Sequence, residues 1–202
     1  MRHVAGGKAL IALWCAGILS ALVLLTGTAL ATDAGTTAEL TGGDLSISAA
    51  LQGGSFAGTL NGRAQTLMAN AAGGGTAFSG FQIKDARGTG VGWAVTVAAT
   101  QFANADRPGK DIALGSLSMP LLAVAKADVG SSAVPGTLNA PGTIDTGGAG
   151  VVVAACSAQG QGMGTYDFTA ADDAPWQLTL SADEYAGTYS STITTTLSTL
   201  AL

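Results

Sequence analysis

The sequence predicts an all-β chain built as an antiparallel β-sandwich, and three observations carry that expectation. Short runs alternate apolar residues with threonine, serine or alanine, as in Gly92 to Phe102 (GWAVTVAATQF), the period of a strand with one buried face. Clusters of Gly, Pro, Asp and Asn separate those runs at short spacing. Past Ala31 no helical period is sustained. Hydrophobic residues make up 48% of the 202, and only 10% are charged, against about a quarter in an average domain. Such a composition supplies a core and argues against disorder. A barrel is the second choice.

The elements follow in order. Arg2, His3 and Lys8 precede an apolar run from Ala9 to Leu25 and then Ala29, Leu30 and Ala31, with no further charge before Asp33. This pattern predicts a secretory signal peptide over residues 1–31, a helix cut after Ala31 at an A-x-A site. An uncleaved anchor is the rival, because the uncharged stretch is nearly long enough to span a bilayer. Residues 32–43 are small and polar, a flexible lead-in, and residues 44–202 form the folded domain.

Leu45 and Ile47 alternating with Ser46 and Ser48 give the first strand, and Gln65 to Asn70 the next. A turn is expected at Gly73 to Gly75. Gly80 to Asp85 and Gly90 to Phe102 are expected to form a hairpin, with Gly88, Gly90 and Gly92 at its turn. In its second arm Trp93, Val95, Val97 and Ala99 share one face. Residues 103–109 break the pattern with proline and glycine, a strand covers Ile112 to Leu117, and another includes Leu122, Val124 and Ala125. Residues 130–150, dense in Gly, Pro, Ser and Thr, read as a long surface loop rather than a domain linker. Val151 to Ser157, Met163 to Phe168, Trp176 to Leu180 and Thr188 to Leu200 complete the set, the last with Tyr189, Ser191, Ile193, Thr195 and Leu197 on one face. This succession of short runs suits an immunoglobulin-like sandwich.

Charge and side-chain inventory exclude several functions. Cleavage after Ala31 leaves six basic residues against thirteen acidic ones, a net charge of −7, which argues against nucleic acid and anionic lipid as partners. It also removes His3, the only histidine, so neither a Ser-His-Asp nor a Cys-His arrangement is available, and zinc loses its usual nitrogen ligand. No cofactor and no metal are expected. Cys156 becomes the only cysteine. It reads as a small buried hydrophobe, with an intermolecular disulfide as the alternative. The triplets Gly88, Gly90, Gly92 and Gly160, Gly162, Gly164 lead into strands, so they read as turns and not as nucleotide loops. Asp172 with Asp173, and Asp183 with Glu184, read as solvated turns. The chain is therefore expected not to be an enzyme, a carboxylate hydrolase being the weak alternative.

Two pairs of large apolar residues at i and i+2 stand out, Trp93 with Val95 and Trp176 with Leu178. Each fits a core or a displayed contact patch. The segment Gly92-Trp93-Ala94-Val95-Thr96-Val97, with Ala98 to Phe102 after it, resembles the first signature of the WxL-domain proteins, secreted surface proteins of Gram-positive bacteria. Leu45 to Ser48 and Ala186 to Leu197 are similar to that family's start and finish. Val95 replaces the first leucine, and Thr195 stands where the second tryptophan precedes Leu197. The resemblance implies non-covalent attachment to the cell wall, through peptidoglycan or another wall polymer, or through a partner surface protein. The expected contact residues are Trp93, Val95, Trp176, Leu178, Tyr189 and Leu197. With no LPxTG-type sorting sequence, no span after signal cleavage and no basic tail, the folded domain is expected to provide the attachment at the cell surface. A structural or adhesive subunit that self-associates through strand edges is the alternative.

Overall fold

A computed structural model describes residues 38–48, 51, 53–69, 80–134, 136–138, 142–148, 150–157 and 159–200. The expected signal peptide, residues 32–37 of the lead-in and the turn at Gly73 to Gly75 lie outside the described residues. The chain divides between Leu40 and Thr41, and every strand described belongs to the second unit, Thr41–Leu202.

Thirteen strands are described. They are β1 (Leu45–Ser48), β2 (Gln65–Ala69), β3 (Phe81–Asp85), β4 (Trp93–Ala99), β5 (Ala103–Asn104), β6 (Leu117–Ser118), β7 (Leu122–Lys126), β8 (Thr137–Leu138), β9 (Val151–Cys156), β10 (Gly164–Ala170), β11 (Trp176–Leu180), β12 (Tyr189–Ser190) and β13 (Ile193–Thr199). All their pairings are antiparallel. One four-stranded sheet runs β1-β3-β10-β7 and a second β13-β4-β9-β8, while β2-β11-β6 and β12-β5 form smaller sheets. A 3-10 turn at Ala171–Asp173 follows β10, with Asp172 at φ 51.

The two larger sheets face each other across aromatic side chains. The Trp93 ring on β4 lies 6.1 Å from that of Tyr166 and 6.2 Å from that of Phe168, both on β10. Phe168 stacks on its register neighbour Phe81 of β3 at 4.8 Å. Alternation explains this arrangement: Trp93, Val95, Val97 and Ala99 are all buried, as are Phe81 and Ile83 opposite them. The all-β sandwich expectation is met.

The expected hairpin is not. β3 pairs with β1 and β10, and β4 pairs with β13 and β9, so the two arms belong to different sheets. Residues 86–92 cross from one sheet to the other, and Arg87 organises the crossing. Its guanidinium donates to Asp85 at 2.9 and 2.8 Å, to the Val91 carbonyl at 2.6 Å and to Thr199 Oγ1 at 3.0 Å. The hydrogen bond to Asp85 pushes the guanidinium pKa further up. Gly92 is sterically required where the crossing enters β4, since a Cβ there would stand 1.8 Å from the Cys156 carbonyl oxygen.

Three further expectations change. The strand over Ile112 to Leu117 shrinks to β6: Ile112 is buried from a loop, and Leu114 is 49% exposed. The stretch 130–150 is not a surface loop throughout. It contributes β8, and Ile144 and Asp145 are fully buried. Asp145 accepts the backbone N–H groups of Ser116 and Leu117 at 3.0 and 3.1 Å, while Ile144 exchanges backbone bonds with Leu117 and Ala99. The final run splits at Ser191 and Thr192, so that β12 joins β5 and β13 joins β4. Cys156 is buried, as the simpler alternative expects, and desolvation pushes its thiol pKa up.

Candidate functional site

Of the six residues expected to make contact, the structure buries four. Trp93, Val95 and Trp176 have no exposed surface, and Leu178 has 4%. Trp93 Nε1 donates to the Gly162 carbonyl at 2.9 Å, which satisfies its polar atom inside the core. The picture of an indole displayed at the surface is thereby corrected. A strand face that alternates apolar residues buries against the facing sheet, and here that sheet supplies Tyr166 and Phe168. Trp93 and Val95 build the scaffold, and Leu197 on β13 lies in register with Val95, as Thr195 does with Val97. The Trp93 segment and the finish of the resemblance are thus adjacent strands of one sheet, while its start, β1, belongs to the other.

Tyr189 and Leu197, the other two, are half-buried. Leu178 and the half-buried Tyr189 both line a cleft of about 1100 Å³. One wall is residues 53–60 and the other Tyr185–Ile193, over a floor that includes Phe102, Ile112, Leu178 and Leu180. The walls form for local reasons. Gly54 lets the first segment lie close to the β2-β11 sheet, since a Cβ there would come within 2.8 Å of that of Ala69 and 3.0 Å of that of Trp176. In the second segment Tyr189 Oη donates to the Tyr185 carbonyl at 2.5 Å, and Asp106 accepts the Thr188 N–H at 2.6 Å. The first bond closes the turn before β12, and the second ties that turn to the loop after β5.

None of the described residues lining the cleft is charged. The floor is apolar, whereas the walls present the hydroxyls of Ser55, Thr59, Thr188 and Ser190 and the phenol of Tyr185, which is 42% exposed. Arg107 and Lys110 reach the Tyr185 ring at the rim, at 5.5 and 4.9 Å from its centroid. An uncharged trough with an apolar base and polar sides suits a neutral polymer segment that needs both contact area and hydrogen bonds.

Sequence reasoning found Tyr189 through its alternation but missed Tyr185, the 53–60 wall, Arg107 and Lys110. The signals were slight: two tyrosines four residues apart, a glycine cluster with no period, and two cations in a pattern break. Among the described residues no group of three or more His, Cys, Asp or Glu is placed to hold a metal ion. No helix among them is long and apolar enough to cross a membrane.

No curated protein and no solved structure matches the chain. Residues 31–200 match the model of the WxL domain, described as surface cell wall-binding, and the chain belongs to that family.

Proposed function

We propose that this chain is an exported, non-catalytic surface protein that attaches non-covalently to the cell wall through peptidoglycan, with the cleft between residues 53–60 and 185–193 as its contact surface. The uncharged lining of the cleft carries this reading, in a family described as wall-binding. A glycan strand with acylated amino sugars presents apolar ring faces together with hydroxyl and amide groups, which the floor and walls complement. Export is supported by the basic and apolar start of the sequence, and the family match begins at Ala31, the expected cleavage point.

Filling the cleft tests the assignment. Ala57 and Ser190 are both exposed lining residues. Ala57→Trp and Ser190→Trp are each expected to leave thermal stability unchanged and to weaken sedimentation with purified walls about tenfold, equivalent to ~1.4 kcal/mol. Full sedimentation by both folded variants overturns the cleft as the contact surface.

One observation favours a second reading, a subunit that pairs with itself or with a surface partner. β13 is an edge strand of seven residues without charge, and no charged residue follows Glu184. Such an edge is poorly protected against strand addition. Size-exclusion chromatography separates the two, because self-pairing predicts a dimer and a wall-binding monomer counts against it.

A further inference from the structure

We propose that Arg107 and Lys110, gathered on Tyr185 at the rim of the cleft, form an anion-accepting subsite, so that the wall polymer presents a phosphate or carboxylate beside an otherwise uncharged stretch. This rests on the wall-binding reading above and adds the charge of the ligand to it.

Both cations are exposed, and their positions are fixed from one loop. Asn104 Oδ1 accepts the backbone N–H groups of Asp106 and Arg107 at 3.0 Å each, and the Lys110 N–H donates to the Arg107 carbonyl at 3.0 Å. Four carboxylates lie in the same two segments, and each is engaged otherwise. Asp106 takes the Thr188 N–H at 2.6 Å, Asp111 takes the Asn104 N–H at 3.0 Å, and Asp183 and Glu184 take the Ser181 hydroxyl at 2.6 and 3.1 Å. None of them pairs with Arg107 or Lys110; the ion pair formed among the described residues joins Arg87 to Asp85.

A cation over an exposed aromatic ring gains only about 0.5–1 kcal/mol, and two like charges drawn to one ring repel each other. The ring therefore locates the pair without neutralising it, which an anion would do. Beneath the same rim Asn104 is 3% exposed, and its Nδ2 has no acceptor. That nitrogen sits behind Gly187 of the cleft wall, where a Cβ would stand 3.0 Å from it. The chain as a whole is acidic, and four carboxylates lie in these segments, so the two cations attract an anion at contact range and not as a long-range field.

The test measures sedimentation of the full chain with purified walls over a range of sodium chloride. Arg107→Ala/Lys110→Ala is expected to keep the wild-type thermal midpoint, to bind about fivefold more weakly and to lose most of its salt dependence. Arg107→Lys/Lys110→Arg, which keeps both charges, is expected to bind as wild type does. Walls stripped of phosphodiester polymers, and walls whose carboxyls are amidated, distinguish the two sources of the anion: the treatment that erases the difference between wild type and the alanine variant identifies it. A wild-type chain that binds while the alanine variant keeps full affinity and full salt dependence overturns the rim assignment alone, as does a difference that survives both treatments. A wild-type chain that stays in the supernatant overturns the wall-binding reading and this one with it.

Discussion

Trp93→Ala is expected to lower folding stability by about 3–5 kcal/mol, the range for removing a large aromatic side chain from a packed core. The indole is fully buried and touches both faces of the sandwich: its ring lies edge-on to Phe168 and tilted against Tyr166, while its N–H is bonded to the Gly162 carbonyl. Cys156, Ala94 and Ala154 around β4 are too small to fill the space it leaves. Trp93→Phe keeps much of the ring contact but leaves the Gly162 carbonyl without its donor, which costs about 1–3 kcal/mol. Urea unfolding should therefore rank wild type above Trp93→Phe and both above Trp93→Ala. An alanine variant within 1 kcal/mol of wild type would contradict the core role. The phenylalanine variant, while folded, is expected to sediment with walls as wild type does, because the residue lies in the core and outside the cleft lining. Binding that fell in a stably folded Trp93→Phe protein would point back to the expectation of an indole in direct contact.

That contrast marks what the sequence reveals and what it withholds. Alternation tells which face of a run is buried, so β1, β2, β9 and β11 and the inward set of β4 are legible from residues 45–48, 65–69, 151–156, 176–180 and 93–99. It does not tell which strand lies beside which. Phe81 and Ile83 bury as well in a facing sheet as in a neighbouring strand, and the glycines after Asp85 permit either a tight turn or a crossing; Arg87 decides it through bonds that no spacing rule encodes. Asp145 was illegible for a similar reason. A carboxylate in a Gly- and Thr-rich stretch looks solvated until two distant backbone N–H groups, on Ser116 and Leu117, are seen to converge on it. The cleft is the extreme case. Its walls come from segments more than 120 residues apart, one of them without any period, and of the six residues named as contacts only Leu178 and Tyr189 line it. Large aromatics attract functional readings because they are rare, yet burial is where most of their free energy is gained. Here the two tryptophans build the platform, and smaller hydroxylated residues line the surface left open.

The same crossing yields the second large effect. Arg87→Ala is expected to cost about 3 kcal/mol, toward the lower end for breaking a buried ion pair, because the guanidinium is 16% exposed while Asp85 is 1% exposed. The loss falls on what remains behind. Asp85 keeps the Arg87 backbone N–H at 3.1 Å but loses both guanidinium donors, and the Val91 carbonyl and Thr199 hydroxyl lose theirs. Thr199 is the register partner of Trp93, so Arg87 fastens the edge strand β13 to the crossing at the point where the buried indole enters the sheet. Arg87→Lys retains the charge but not the fork that serves Asp85 and Val91 together, and its stability should fall between wild type and alanine. Asp85→Asn in the Arg87→Ala background supplies the decisive comparison. If the penalty comes from an uncompensated carboxylate, removing that charge should recover at least 1 kcal/mol in urea unfolding, although one more native group has been altered. If the double variant is less stable than Arg87→Ala alone, the crossing is held by the carbonyl and hydroxyl bonds of Arg87 and not by its pairing with Asp85.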